Sequence, residues 1–333
     1  MNAEQLNLLI HATLPKQMPI LVTGMPGIGK TAVVKQAIED MEWDALFSHP
    51  VTDEPIDYKG LPWIQDGVAK FFPVGVIDEV LRCTQPTAWV IDDVGQAMLS
   101  VQASFMQWLH RDSRTLNGQA LPDCVSLIMM TNRKEDRAGV SGFLEPFKSR
   151  FFTIVELEAH VQSFVNWGIQ NNIDPMIMAY LQWKPGQLSD FDPTSGLEVT
   201  PNPRAWHHLS DLIKLGLPSE MEAEMFSGCV GEATAIEFIG FRGIYKELPP
   251  IADCYENPDS ALVPSKTSII FALIGSLAKR ACPDNLDGVL TYMRRLAPEF
   301  QVVFTEMLTK YWDDVTDEKE FTRWSVHIQK HMV

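Results

Sequence analysis

The chain has 333 residues, with 27 Lys and Arg against 43 Asp and Glu, for a formal net charge of −16. At roughly 100–200 residues per domain that length suits one large domain or two modest ones. A composition of 46% hydrophobic and 21% charged residues excludes disordered, collagen-like and coiled-coil classes. The acidic balance disfavours a duplex-binding surface, because phosphate contacts need clustered Lys and Arg, so nucleic acid is not the expected partner. Cys83, Cys124, Cys229, Cys254 and Cys282 are scattered without a C-x-x-C pair, which speaks against a disulfide framework or zinc cluster and suits a reducing cytosol. No basic segment precedes an apolar stretch at the N-terminus, and the most apolar run, 268–278, is shorter than the ~20 residues a membrane helix needs. The expectation is a soluble, cytoplasmic protein without a membrane span.

In chain order, the first half alternates short apolar runs with helical patterns, as a parallel α/β sheet does. Residues 18–23 predict a strand, followed by a glycine-rich turn and a helix from Lys30 to about Met41. Residues 89–92 predict a second buried strand, after which Val101, Phe105, Trp108 and Leu109 fall at helical spacing. Residues 125–131 and 151–155 predict a third and a fourth strand, and 57–73 reads as a hairpin or loop inserted into the core. After about Glu158 strand signals fade, and helices are expected over 161–171, 175–183, 204–215 and 233–242. Prolines between 249 and 264 mark a connecting segment expected to pass over the surface. Phe300, Val303, Phe304, Met307, Leu308 and Tyr311 then define one apolar helix face, which reads as core packing. His207 and His208 are adjacent and on a helix point about 100° apart, so they read as packing residues and not as a metal pair.

Gly24-Met25-Pro26-Gly27-Ile28-Gly29-Lys30-Thr31 matches G-x-x-x-x-G-K-[ST] between a predicted strand and a predicted helix, the context this motif requires. Its glycines let the backbone curl so that N–H groups point at phosphate oxygens, and the helix adds its positive dipole end. Lys30 is expected to reach the β- and γ-phosphates, and the Thr31 hydroxyl to ligate Mg²⁺. The second half of such a site belongs at the end of another strand, where Trp89-Val90-Ile91-Asp92-Asp93 supplies two acids. Asp92 is expected to hold the Mg²⁺ shell and Asp93 to polarise the attacking water, since γ-phosphate cleavage needs an oriented nucleophile more than covalent help. ATP and Mg²⁺ are the expected cofactors.

With these motifs the chain resembles a AAA+ ATPase of the MoxR-like branch, of the kind found in phages and prophages, over about residues 18–245. Thr131-Asn132-Arg133 closes the third strand where the family places its sensor-1 residue, which implies that Asn132 positions the attacking water. The segment Leu144-Glu145-Pro146-Phe147-Lys148-Ser149-Arg150-Phe151 looks like the one carrying the arginine finger, so that Arg150 reaches the γ-phosphate bound by a neighbouring subunit. Arg133 and Arg137 lie near the same edge as alternatives for that role. Pro201-Asn202-Pro203-Arg204-Ala205 resembles the MoxR-type sensor-2 motif and suggests Arg204 as a lid contact to the phosphates. Residues 58–72 and 110–122 are similar to the two hairpins of this branch. One departure is Asp93, where most of the family carry Glu; it implies slow turnover or help from Gln96.

The resemblance implies a P-loop α/β core over 1–157, a helical lid over 158–248, and a linker with a helical C-terminal extension over 249–333. It implies a homo-oligomeric ring, expected to be a hexamer, that hydrolyses ATP to remodel a protein partner with a von Willebrand factor A domain. Two alternatives remain at this stage. One is a nucleic-acid-stimulated motor using His110, Arg111 and Arg114 as a pore cluster. The other is a non-hydrolysing, ATP-gated binding module.

Overall fold

The computed structural model describes residues 1–110, 112–136, 138–140, 142–192, 199–245 and 250–329. The chain divides into a first compact unit of Met1–Ala159 and a second that begins at His160. In chain order the first unit holds α1 (Ala3–Thr13), β1 (Ile20–Thr23), α2 (Lys30–Asp40), β2 (Asp44–Ser48), α3 (Pro55–Lys59), a hairpin of β3 (Leu61–Gln65) and β4 (Val68–Phe72), and α4 (Val76–Leu81). It continues with β5 (Thr87–Ile91), α5 (Leu99–Trp108), a small hairpin of β6 (Thr115–Leu116) and β7 (Gln119–Ala120), β8 (Val125–Thr131), α6 (Glu145–Lys148) and β9 (Thr153–Glu156).

Five strands form one parallel sheet in the order β2-β5-β8-β1-β9. The inner strands β5 and β8 are buried along their whole length, which is why they read as unbroken apolar runs: helices cover both faces of a parallel sheet. Side chains alternate between those faces. Ile20 and Val22 meet Leu6 and Ile10 of α1 and Val34 and Ile38 of α2 on one side. Leu21, Trp89 and Ile91 meet Tyr58, Phe105 and Trp108 on the other. The edge strands are half exposed. β2 escapes the sequence reading for that reason, because its polar start and open edge leave no apolar run to detect. The Trp89 indole N–H fastens it to β5 by donating to Ser48 Oγ at 2.9 Å.

Both expected hairpins form. Asp66 and Gly67 have φ of 53° and 75°, and Asn117 and Gly118 have 52° and 81°, the left-handed pairs of type I′ turns. The first hairpin projects Trp63 and Ile64 into solvent but is rooted by Tyr58. That ring is buried 4.4 Å from Phe105, and its hydroxyl donates to Asp53 at 2.5 Å. Burial and the nearby Asp53 carboxylate push the Tyr58 phenol well above its usual range, so it stays neutral.

The second unit holds α7 (Val161–Gln170), α8 (Pro175–Trp183), α9 (Pro203–Lys214), α10 (Glu222–Val230), α11 (Glu232–Tyr245), α12 (Asp253–Glu256), α13 (Thr267–Arg280), α14 (Leu286–Met293), α15 (Pro298–Tyr311) and α16 (Lys319–Gln329). It has no strand among the described residues. Phe304, Met307 and Leu308 of α15 are fully buried, as the apolar stripe required. The proline-rich connection lies mostly at the surface, as expected, but is anchored at Cys254, Ala261 and Pro264, which are buried. Pro249 lies outside the described residues, but α12 follows it and buries Cys254, while Arg295 bonds the Pro258 and Ala261 carbonyls at 2.6 and 2.8 Å. No helix among the described residues is long and apolar enough to cross a membrane.

Glu237 of α11 accepts hydrogen bonds from the Tyr180 hydroxyl at 2.8 Å and from Lys184. Burial pushes this carboxyl up, but Lys184 and Tyr180 outweigh burial and hold it below the usual carboxylate range. A carboxyl depressed in the folded state stabilises above its unfolded pKa of ~4.3, and that stabilisation is lost as pH falls through the depressed value. Glu237→Gln is therefore expected to cost about 1 kcal/mol at pH 7, a value limited by solvent screening. Urea melts of parent and variant should converge in acid. Equal differences at neutral and acid pH would show that the charge is not what stabilises.

Candidate nucleotide site at the carboxyl edge of the sheet

Three neighbouring strands, β5, β8 and β1, end in the loops that carry the expected site residues. After Thr23 the chain turns through Gly24–Gly29 into α2, and Gly27 and Gly29 adopt φ of 76° and 103°, which a side chain would strain. Gly29 caps α2, whose first amides have no intrahelical partner, and a helix start of this kind suits an anion. Lys30 follows at once and is 7% exposed. Its Nζ donates to the Gly24 carbonyl at 2.9 Å, the Met25 carbonyl at 3.1 Å and Asn132 Oδ1 at 2.8 Å. Those three acceptors match the three donors of an ammonium.

Thr31 Oγ1 donates to Asp92 Oδ2 at 2.8 Å, and Asp92 Oδ1 accepts the Asp93 amide at 2.9 Å. Asp93 sits at φ 57° and ψ 30°, a left-handed conformation that Asp tolerates better than most side chains. Its Oδ1 accepts from Asn132 Nδ2 at 3.0 Å. The amide of Asn132 therefore bridges Lys30 and Asp93. Its orientation is fixed, because Lys only donates and a carboxylate only accepts. The loop Gly24–Thr31, Asp92, Asp93 and Asn132 are thus brought together by strand ends far apart in sequence. A hydroxyl beside a carboxylate is also the hard oxygen donor set that suits Mg²⁺.

The arginines divide differently. Arg150 follows α6, half-buried, and is not part of this hydrogen-bonded group; its buried Nε has no hydrogen-bond partner. Arg133 is committed inside its own unit. It makes a two-pronged pair with buried Asp136 and a 2.8 Å contact to Glu156, and these carboxylates raise its guanidinium pKa further. Its guanidinium is thus engaged by carboxylates of its own unit, and Arg137 lies outside the described residues. Arg204 is exposed at the second position of α9 in the second unit. Asn202 caps that helix by accepting the Ala205 amide at 3.0 Å, and Pro203 occupies the first position, so the Asn-Pro-Arg sequence is a helix start.

Of the basic cluster expected near the small hairpin, Arg114 does not face outward. Arg114 turns inward to bond the Val125 carbonyl, and burial lowers its pKa, while Arg111 lies outside the described residues. Gln96 does not reach toward Asp93, because its Nε2 is bonded to the Ala138 carbonyl at 2.6 Å. His207 packs edge-on against Trp167 at 5.2 Å. Sequence reading overlooked the ion cluster of Arg133, although the Arg133 and Asp136 spacing was a usable signal. It also overlooked fully buried Gln102, for which periodicity offers none.

No family model matches the chain, and no curated protein matches it. Solved structures similar to it include NtrX from Brucella abortus in complex with ATP, at 15% identity over 98% of this chain and 66% of that one, with a TM-score of 0.44. The Thermotoga maritima RuvB Holliday junction branch migration motor is 15% identical over 88% and 85% of the two chains, with a TM-score of 0.40. Hsp104 with ATPγS and FITC casein is 18% identical over 47% and 32%, with a TM-score of 0.37. The chain spans 54–66% of the NtrX chains' length. Likeness at this level assigns no residue a role. With its five parallel strands, glycine-rich loop and following helices, the chain has a P-loop-type α/β fold, followed by a second part that is helical among the described residues.

Proposed function

We propose that the chain is a Mg²⁺-dependent AAA+ ATPase of the MoxR-like branch that assembles into a ring, expected to be hexameric. In this reading it couples ATP hydrolysis to remodelling of a protein partner bearing a von Willebrand factor A domain. The observation that carries the reading is the Asn132 amide, which bridges the P-loop lysine and Asp93 beside the Thr31–Asp92 pair. The ring, branch and partner follow from the motif resemblance.

Each residue then has a task. The Gly24–Gly29 loop and the start of α2 receive the phosphates, and Lys30 exchanges its carbonyl acceptors for phosphate oxygens. Thr31 and Asp92 would hold Mg²⁺, which supplies charge neutralisation at the phosphates. Asp93 accepts a proton from the attacking water, and Asn132 orients that water while keeping Asp93 aimed. Arg150 serves the site of a neighbouring copy, and Arg204 keeps the phosphate-sensing role its motif suggests. The inward turn of Arg114 weakens the nucleic-acid motor.

Asp93→Asn separates hydrolysis from passive binding. The Asn carbonyl can still accept from Asn132, so ATP affinity should hold. Phosphate release should fall by about 10²–10⁴-fold, the usual worth of a general base. A variant that hydrolyses ATP at the parent rate overturns the assignment of Asp93. A parent protein that binds ATP and releases no phosphate favours the non-hydrolysing module.

A further inference from the structure

The turn carrying Asp93 is tied to the segment carrying Arg150 by contacts that the proposed reaction does not use. Gln96 closes that turn, its amide bonding back to the Asp93 carbonyl at 2.9 Å, and its Nε2 reaches the Ala138 carbonyl at 2.6 Å. Gln102, fully buried on α5, donates from Nε2 to the Ala97 carbonyl at 3.1 Å and the Gly142 carbonyl at 3.0 Å. All these acceptors are carbonyls, so the amide orientations are fixed. Oε1 of each glutamine is left buried with no hydrogen-bond partner. Gly95 directly precedes Gln96, and a Cβ there would meet Thr131 Oγ1 at 2.3 Å and the Phe143 ring at 2.9 Å. Phe143 stacks on Phe147 at 5.9 Å, and Phe147 meets Phe151 edge-on at 5.1 Å. The contacts therefore run without a gap from the Asp93 turn to the residue after Arg150.

A core built for stability alone would not keep two half-satisfied amides here, since each buried carbonyl oxygen carries a desolvation cost that an apolar residue of equal size avoids. Amides spent on the main chain of a distant loop tie that loop to the turn and helix they come from. Coupling between sites is carried by contiguous packed and hydrogen-bonded contacts of this kind. We propose that Gly95, Gln96 and Gln102 link the Asp93 turn to the Arg150 segment, so that the state of one nucleotide site sets how its own copy presents Arg150 to the next. They are positioning residues. The inference rests on the reading of Arg150 as a finger acting on a neighbouring copy.

A double-mutant cycle on kcat at saturating Mg-ATP tests the link. Gln102→Leu and Gly95→Ala are each measured alone and combined with Arg150→Ala, alongside the Kd of a fluorescent ATP analogue. Each single variant is expected to lower kcat about tenfold at unchanged Kd. In the Arg150→Ala background the further loss should be under about twofold, because the link acts through that side chain. If Gln102→Leu fails to fold, Gln96→Met at a half-buried position enters the same cycle. Losses that add in the Arg150→Ala background, or weakened nucleotide binding, overturn the link alone. Parent-rate turnover by Arg150→Ala overturns the finger reading, and the link with it.

Discussion

Lys30→Ala is expected to weaken ATP binding about a hundredfold. The lysine begins α2 in a buried position, with all three donors engaged by oxygen. Exchanging two of those acceptors for phosphate oxygens makes charge-assisted bonds, each worth about 1.5–3 kcal/mol. Losing about 3 kcal/mol corresponds to about two decades in Kd. Titration calorimetry with ATP in the presence of Mg²⁺ reads this directly. The variant also leaves the Gly24 and Met25 carbonyls and Asn132 without their ammonium, so a modest fall in melting temperature should accompany it. A Kd within about threefold of the parent's would mean that the glycine-rich loop is not the phosphate site.

Arg150→Ala should lower kcat by about 10³-fold with little change in Kd, because an arginine supplied to a transition state is worth that much or more. Two structural facts support the choice of this arginine. Its buried Nε has no hydrogen-bond partner, and it is not part of the hydrogen-bonded group of its own site. Arg133 makes the contrasting case. Held by Asp136 and Glu156, it braces the end of β8, and Arg133→Ala should act through stability more than through charge at a neighbouring phosphate. Steady-state phosphate release and ATP titration of Arg150→Ala separate the two effects. A loss of affinity equal to the loss of rate would place Arg150 in nucleotide binding by its own copy.

The parts of the fold legible in the sequence were those where one physical constraint dominates. β8 was bounded at 125–131 because an inner parallel strand must be apolar on both faces, and the structure buries all of it. The loop from Gly24 to Thr31 was legible because positive φ demands glycine at Gly27 and Gly29. Asp92, Asp93 and Asn132 could be placed because each follows an apolar run. Where constraints compete, the reading failed. Edge strand β2 alternates weakly. Arg114 looked like surface charge, yet it satisfies a main-chain carbonyl inside the unit. Gln96 and Gln102 reach across 42 and 40 residues to their carbonyl partners, a pairing that no local pattern reports. Polar groups that bond the backbone of a distant loop are legible only once the chain is folded.

The central claim is that each nucleotide site is completed by a second copy. Per-subunit phosphate release, measured across a wide dilution series of the parent protein at saturating Mg-ATP, tests it most directly. A rate per subunit that climbs with concentration and saturates as the protein assembles is the expected result. A constant rate per subunit at dilutions where the protein is monomeric would contradict it, and would return every catalytic task to the residues around Lys30, Asp93 and Asn132 of a single chain.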